Sequence, residues 1–457
     1  MPRTLPVVIA MLSLASTLTY AADPVAQFQS GDIVALIGDS ITHGRKWHRY
    51  VYAYYLTRFP DRQVRFVNEG IAGDSAGGAL RRLDWDILPN QPNAAIIFLG
   101  MNDVGRGYYK VNADERTIAA RQTALDNYRK NMDELAGKLQ AGGVKKLWFF
   151  TPSPYDDTAQ LESENFPGVN GALAQCGRFG AELAAKYGGA VIDLNGPMTA
   201  LNLEHQKADP KFTIIGPDRV HPGDVGMMVI AYTVLRAQGA PALVSKVAVD
   251  GVAGKVGATE NATVTNLKQT PEGLSFDCLA KALPWPLEAS AHAALALVPL
   301  EADLDQEKLM ATLPAGEYRL LIEGQEVGRY DAAALAAGIN LALNDKTPQY
   351  QQAWKLWQAN EQRSALEVRI RTYAQIRTIL VAGKVNEDDE AAVDACFASF
   401  LERVGESMRP YFSGQIKVYK ATRPELANLR AQIDALQQSL WQLNQPQTLH
   451  YELVRAQ

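Results

Sequence analysis

Few residues in this chain suit a metal site or a disulfide framework. Three cysteines, Cys176, Cys278 and Cys396, and six histidines stand among 457 residues. An odd number of widely spaced cysteines excludes a dense disulfide scaffold and leaves room for at most one bridge. They read as small buried hydrophobes. No His, Cys or carboxylate cluster has the spacing of a metal site, and neither a Gly-x-Gly-x-x-Gly turn nor a P-loop occurs, so no metal and no cofactor is expected. Basic runs are missing too. Lys plus Arg number 45 against 50 Asp plus Glu, a net charge of −5, and nucleic-acid binding needs cations that neutralise phosphates. No apolar run approaches the ~18 residues that cross a bilayer.

What is present is ordinary globular composition: 47% apolar and 21% charged residues, with 35 Gly and 23 Pro. At roughly 150 residues per domain the length suggests two or three domains. The beginning reads as a targeting segment. Met1–Arg3 is a short basic start, Leu5–Leu14 is mostly apolar, and small residues lead to Thr19-Tyr20-Ala21. That order predicts a secretory signal over residues 1–22 and an exported, periplasmic or secreted, protein; a buried N-terminal helix is the alternative.

Between residues 31 and 240, near-continuous apolar runs alternate with helical periods. The runs are Asp32–Ile37, Val64–Asn68, Ala94–Leu99, Val144–Phe150 and Ala190–Leu194. Such runs suit parallel strands buried on both faces. The intervening helices include Trp47, Tyr50, Val51, Tyr54 and Tyr55 on one face, with His48 expected at the surface, and a longer stretch over 113–140. The order predicts a doubly wound, flavodoxin-like α/β domain with a five-stranded parallel sheet over residues 23–240, whose ligands bind beyond the carboxyl ends of the strands. After Gly239-Ala240-Pro241 the pattern changes. Residues 241–345 read as a β-rich accessory segment, with strands at Ala262–Leu267 and Glu317–Glu323. Residues 346–457 read as three helices and a closing strand at Thr448–Val454.

The chemistry-bearing residues fall just after the predicted strands. Gly38-Asp39-Ser40 follows the first, and alone it reads equally as a common turn. Gly70-Ile71-Ala72-Gly73-Asp74-Ser75 follows the second, Gly100-Met101-Asn102-Asp103 the third, and Asp218-Arg219-Val220-His221-Pro222 precedes a late helix. Acyl transfer needs a hydroxyl, a base, a carboxylate to orient the base, and donors for the developing oxyanion. These four segments supply one of each. A glycine at 73 lets backbone approach a substrate closely, and an Asn amide is an uncharged directed donor. Asp39, Asp74 and Asp103 read as turn caps. His43, Tyr108 and Tyr109 are candidate substrate contacts, and the polar stretch Thr151–Asn170 is expected to border the cleft. His205, His292 and His450 have no partner motif.

The four segments, in this order, resemble the blocks of the SGNH (GDSL-type) hydrolase family across residues 31–240. The resemblance implies an esterase in which Ser40 is the nucleophile, His221 the general base and Asp218 its orienting carboxylate. It also implies that the backbone N–H groups of Ser40 and Gly73 and the amide of Asn102 form the oxyanion hole. With export and appended segments, it points to a carbohydrate O-acetylesterase acting on an acylated glycan. A lipase, aryl-esterase or thioesterase of the same fold and a non-catalytic carbohydrate-binding protein are the alternatives.

Overall fold

The computed structural model describes residues 25–456; the expected signal segment lies outside them. The first half alternates strand and helix in the expected order. Its elements are β1 (Ile33–Gly38), α1 (Ser40–His43), α2 (Lys46–Arg58), β2 (Arg65–Gly70), α3 (Ala76–Arg82), β3 (Ala94–Phe98) and α4 (Glu115–Ala141). They continue with β4 (Lys146–Phe150), α5 (Val169–Tyr187), β5 (Ala190–Ile192), α6 (Asn195–Gln206) and α7 (Asp224–Ala237). The five strands form one parallel sheet in the order β2-β1-β3-β4-β5. Alternate β1 residues feed two cores, Val34 and Leu36 on one face and Ala35 and Ile37 on the other. That is what a strand buried on both sides requires.

The second half begins with β6 (Leu243–Asp250), β7 (Lys255–Glu260), β8 (Ala262–Thr270), β9 (Gly273–Ala280), α8 (Leu300–Leu304) and β10 (Gln306–Thr312). It goes on through β11 (Glu317–Ile322), β12 (Gln325–Asp331), α9 (Ala332–Ala337) and β13 (Ile339–Asn340). The long helix α10 (Pro348–Ala382) follows, then α11 (Glu390–Arg403), α12 (Arg409–Thr422), α13 (Leu426–Leu443) and β14 (Thr448–Arg455). β14 lies mid-sheet between β11 and β9 in the order β12-β11-β14-β9-β8, so the last strand closes a β layer begun nearly two hundred residues earlier. Four long helices stand where three were expected; α12 is the addition. The three cysteines are unbridged, Cys176 and Cys278 buried and Cys396 partly exposed.

The two halves share a core. Trp285, Leu356, Trp357 and Leu440 pack in the same apolar cluster as Val34, Trp47 and Tyr50, and the Trp357 ring stacks on Tyr50 at 5.3 Å. Helix α2 is therefore covered by the sheet on one side and by α10 on the other. This corrects the surface position expected for His48. It is buried, its Nε2 is 3.2 Å from the Thr42 carbonyl, and burial pushes its pKa down to about 3.

Candidate active site

Ser40 opens α1 directly beyond β1. Asp39 caps the helix by accepting from the Ile41 N–H at 2.9 Å, and as the first helical residue Ser40 has a backbone N–H with no partner inside the helix. The turn is cramped. A Cβ on Gly70, at the end of the neighbouring strand, would lie 2.3 Å from the His43 backbone nitrogen, so only glycine lets β2 end beside α1.

Ser40 Oγ lies 2.7 Å from His221 Nε2, and His221 Nδ1 lies 2.5 Å from Asp218 Oδ2. The other carboxylate oxygen of Asp218 accepts from the N–H groups of Val220 and His221, each at 3.0 Å. Burial pushes this carboxyl up, but the bonds from the His221 ring and from the two backbone N–H groups outweigh it and hold it below the usual carboxylate range. The side chains of His221 and Asp218 remain 47% and 52% exposed.

The loops after β2 and β3 lie alongside. Gly73 adopts φ +82°, a conformation that disfavours side chains, and the space where its Cβ would stand is open. No partner for its N–H occurs among the described residues. Asn102 Nδ2 donates to the Asp74 carbonyl at 2.8 Å while Arg106 approaches its Oδ1 at 3.4 Å, which fixes which end of the amide faces the β2 loop and leaves one N–H free. Asp103 accepts from the Ala76 N–H at 2.9 Å, tying the two loops together.

Of the expected substrate contacts, Tyr108 is 40% exposed. Tyr109 is instead part of the core, with the Arg121 guanidinium 4.6 Å over its ring. His43 is turned to the β2 loop, where its Nδ1 accepts from the Ala72 N–H at 3.0 Å. Sequence reading missed Arg219. Held at φ +64° and almost wholly buried, it donates to the carbonyls of Asp156, Ala159, Leu161 and Ser163, so the Asp218–His221 loop is riveted to the stretch after β4. Its place between Asp218 and His221 was the sole available signal. Among the described residues no group of His, Cys, Asp and Glu could hold a metal ion, and no helix is long and apolar enough to cross a membrane.

A hydroxyl, an imidazole and a carboxylate in hydrogen-bonded series, at the carboxyl edge of a 2-1-3-4-5 parallel sheet, form the arrangement that serine hydrolases use. The chain belongs to the GDSL-like lipase/acylhydrolase family, the SGNH hydrolases, whose model matches residues 36–229. It is 25% identical over 225 residues to an acetylxylan esterase of Geobacillus stearothermophilus, a match covering 46% of this chain and 95% of that protein. The solved structure of a gut microbial diltiazem-metabolizing enzyme is 32% identical, with 95% of this chain and 99% of that one covered at a TM-score of 0.88. The second half of the fold thus recurs in a relative as well.

Proposed function

We propose that the chain is an exported carbohydrate O-acetylesterase in which Ser40, His221 and Asp218 act as nucleophile, base and orienting acid. What carries the reading is the series Ser40–His221–Asp218 at hydrogen-bond distances with its acid–base pair about half open to solvent. Ser40 Oγ attacks the ester carbonyl and its proton passes to His221 Nε2. Asp218 stabilises the imidazolium from the other ring nitrogen. Negative charge on the carbonyl oxygen is met by the N–H groups of Ser40 and Gly73 and the Asn102 amide. Collapse expels the alcohol, which takes the proton from His221. Water, activated by the same base, then releases the acid and frees Ser40. Residues 23–240 hold all of this chemistry, with 241–345 and 346–457 as accessory β and helical parts.

An ester displayed on a polymer needs an open nucleophile, and an acetylxylan esterase is among the relatives. Tyr108, exposed beside the Asn102 loop, is a surface on which a sugar ring could rest. A second reading, a small-molecule ester hydrolase, is favoured by the relative that matches over nearly the full length and metabolizes diltiazem. Acetate release from acetylated xylo-oligosaccharides, measured against short- and long-chain aryl esters, decides between them. The glycan should be the better substrate and Ser40→Ala should abolish release; preference for aryl esters favours the second reading, and preference for long acyl chains sinks both.

A further inference from the structure

Four residues of α10 spaced by four, Arg363, Glu367, Arg371 and Gln375, are all buried. They form a polar stripe that runs beside β2 toward the Gly73 loop. Arg363 donates to the Phe66 carbonyl at 3.4 Å. Arg371 pairs with Glu69 and Asp86. Gln375 Nε2 donates to the Ala72 carbonyl at 3.0 Å. The match is metric: twelve helical residues rise about 18 Å, and the six from Phe66 to Ala72 span about 20 Å when extended.

The last of these contacts matters for chemistry. The Ala72 carbonyl and the Gly73 N–H belong to one planar trans peptide, in which C=O and N–H point in opposite directions. A donor fixed on the carbonyl therefore sets the direction of the Gly73 N–H, and polarises it as well, because hydrogen bonds in series strengthen one another. The preceding peptide is pinned independently, its N–H held by His43 Nδ1. The amide of Gln375 cannot serve the other way round, since a carbonyl accepts only from its nitrogen end; the Tyr411 hydroxyl stands 3.4 Å from its oxygen.

We infer that Gln375, on a helix some three hundred residues along the chain, is a positioning residue for the oxyanion hole. The accessory half then completes the active site rather than merely flanking it. This rests on the role proposed above for Gly73. The test compares Gln375→Met, similar in size but without a donor, with Gln375→Asn, polar but too short to reach, and with Gln362→Ala on the exposed side of the same helix. In the full chain both Gln375 variants should lose about tenfold in kcat with KM unchanged. They should also bind methylboronic acid, whose adduct with Ser40 is a tetrahedral anion, more weakly by the same factor. Thermal unfolding should fall by no more than the few degrees that one lost hydrogen bond costs, and Gln362→Ala should behave as the parent. Unchanged kcat and boronate affinity in both Gln375 variants, with Ser40→Ala inactive, overturns the inference alone. So does a loss confined to KM or to stability. Full activity in Ser40→Ala overturns the functional reading and this one with it.

Discussion

The loop carrying Asp218 and His221 and the loop carrying Gly73 flank the same serine, yet one is half open to water and the other is packed over a dry ion network. Beneath the Gly73 loop, Arg82 binds Asp74 and Asp86 while Arg371 binds Glu69 and Asp86, all five side chains nearly or wholly inaccessible. Burial raises the Asp86 carboxyl, but the two arginines more than reverse it; Glu69 is left above its ordinary range because burial there exceeds the attraction of Arg371. The difference suits the two tasks proposed for them. A base that trades protons with leaving alcohol and water gains from access, whereas donors that must be aimed before charge develops gain from rigidity.

If that division holds, the two arms should fail differently. The largest effect is His221→Ala, expected to lower kcat by roughly 10^4- to 10^6-fold with little change in denaturant unfolding. A large loss of stability would show that the open arm is structural after all. Arg371→Leu is the converse: it leaves Glu69 only the Arg82 guanidinium at 4.0 Å and is expected to lower the unfolding free energy by about 3–5 kcal/mol. Should its stability equal that of the parent, the network is not what holds the second arm. Asn102→Ala stands between the arms, expected to cost kcat about 10^2- to 10^3-fold as one lost oxyanion donor. Full activity in this variant would remove Asn102 from the hole.

How much of this was legible from sequence follows the range of each interaction. The five strands announced themselves as apolar runs because both faces of the sheet are covered, and their ends fell within two residues of the observed ones. The segments that meet at Ser40 were legible because each carries its own short signal, three directly after a strand and the fourth, Asp218–His221, just before α7. Arg371–Glu69 and Gln375–Ala72 join residues about three hundred positions apart, and nothing local marks either partner. His48 was misplaced for the same reason: a helix face reads as outer until a distant helix is known to cover it. Helix α12 escaped because Phe412, Ile416 and Tyr419 are its few apolar anchors among lysines and small polar residues.

The smallest expected effect probes how dry the second arm is. His43 accepts the Ala72 N–H on Nδ1, so the bond exists only with that nitrogen unprotonated. Burial first, and then the nearby charges of Arg371 and Arg82, push its pKa from 6.5 down to about 4. Between those values the unfolded chain takes up a proton that the folded chain refuses. This contribution to stability is therefore intact above pH 6.5 and drains away as the pH falls toward 4, by up to roughly 3 kcal/mol. Asp39 and Asp103 act in the opposite sense, because burial raises them to about 6 and about 7 and the folded state holds their protons longer. The parent's profile alone thus mixes opposing slopes. His43→Asn separates them, since an Asn oxygen near the Nδ1 position still accepts from Ala72 and does not titrate. Denaturant unfolding followed from pH 7 to pH 4 should show the parent losing ground to His43→Asn steadily below 6.5. A flat difference between the two would mean that His43 takes its proton as readily in the folded protein as in the unfolded one, and that water reaches the Gly73 arm as freely as it reaches Asp218 and His221.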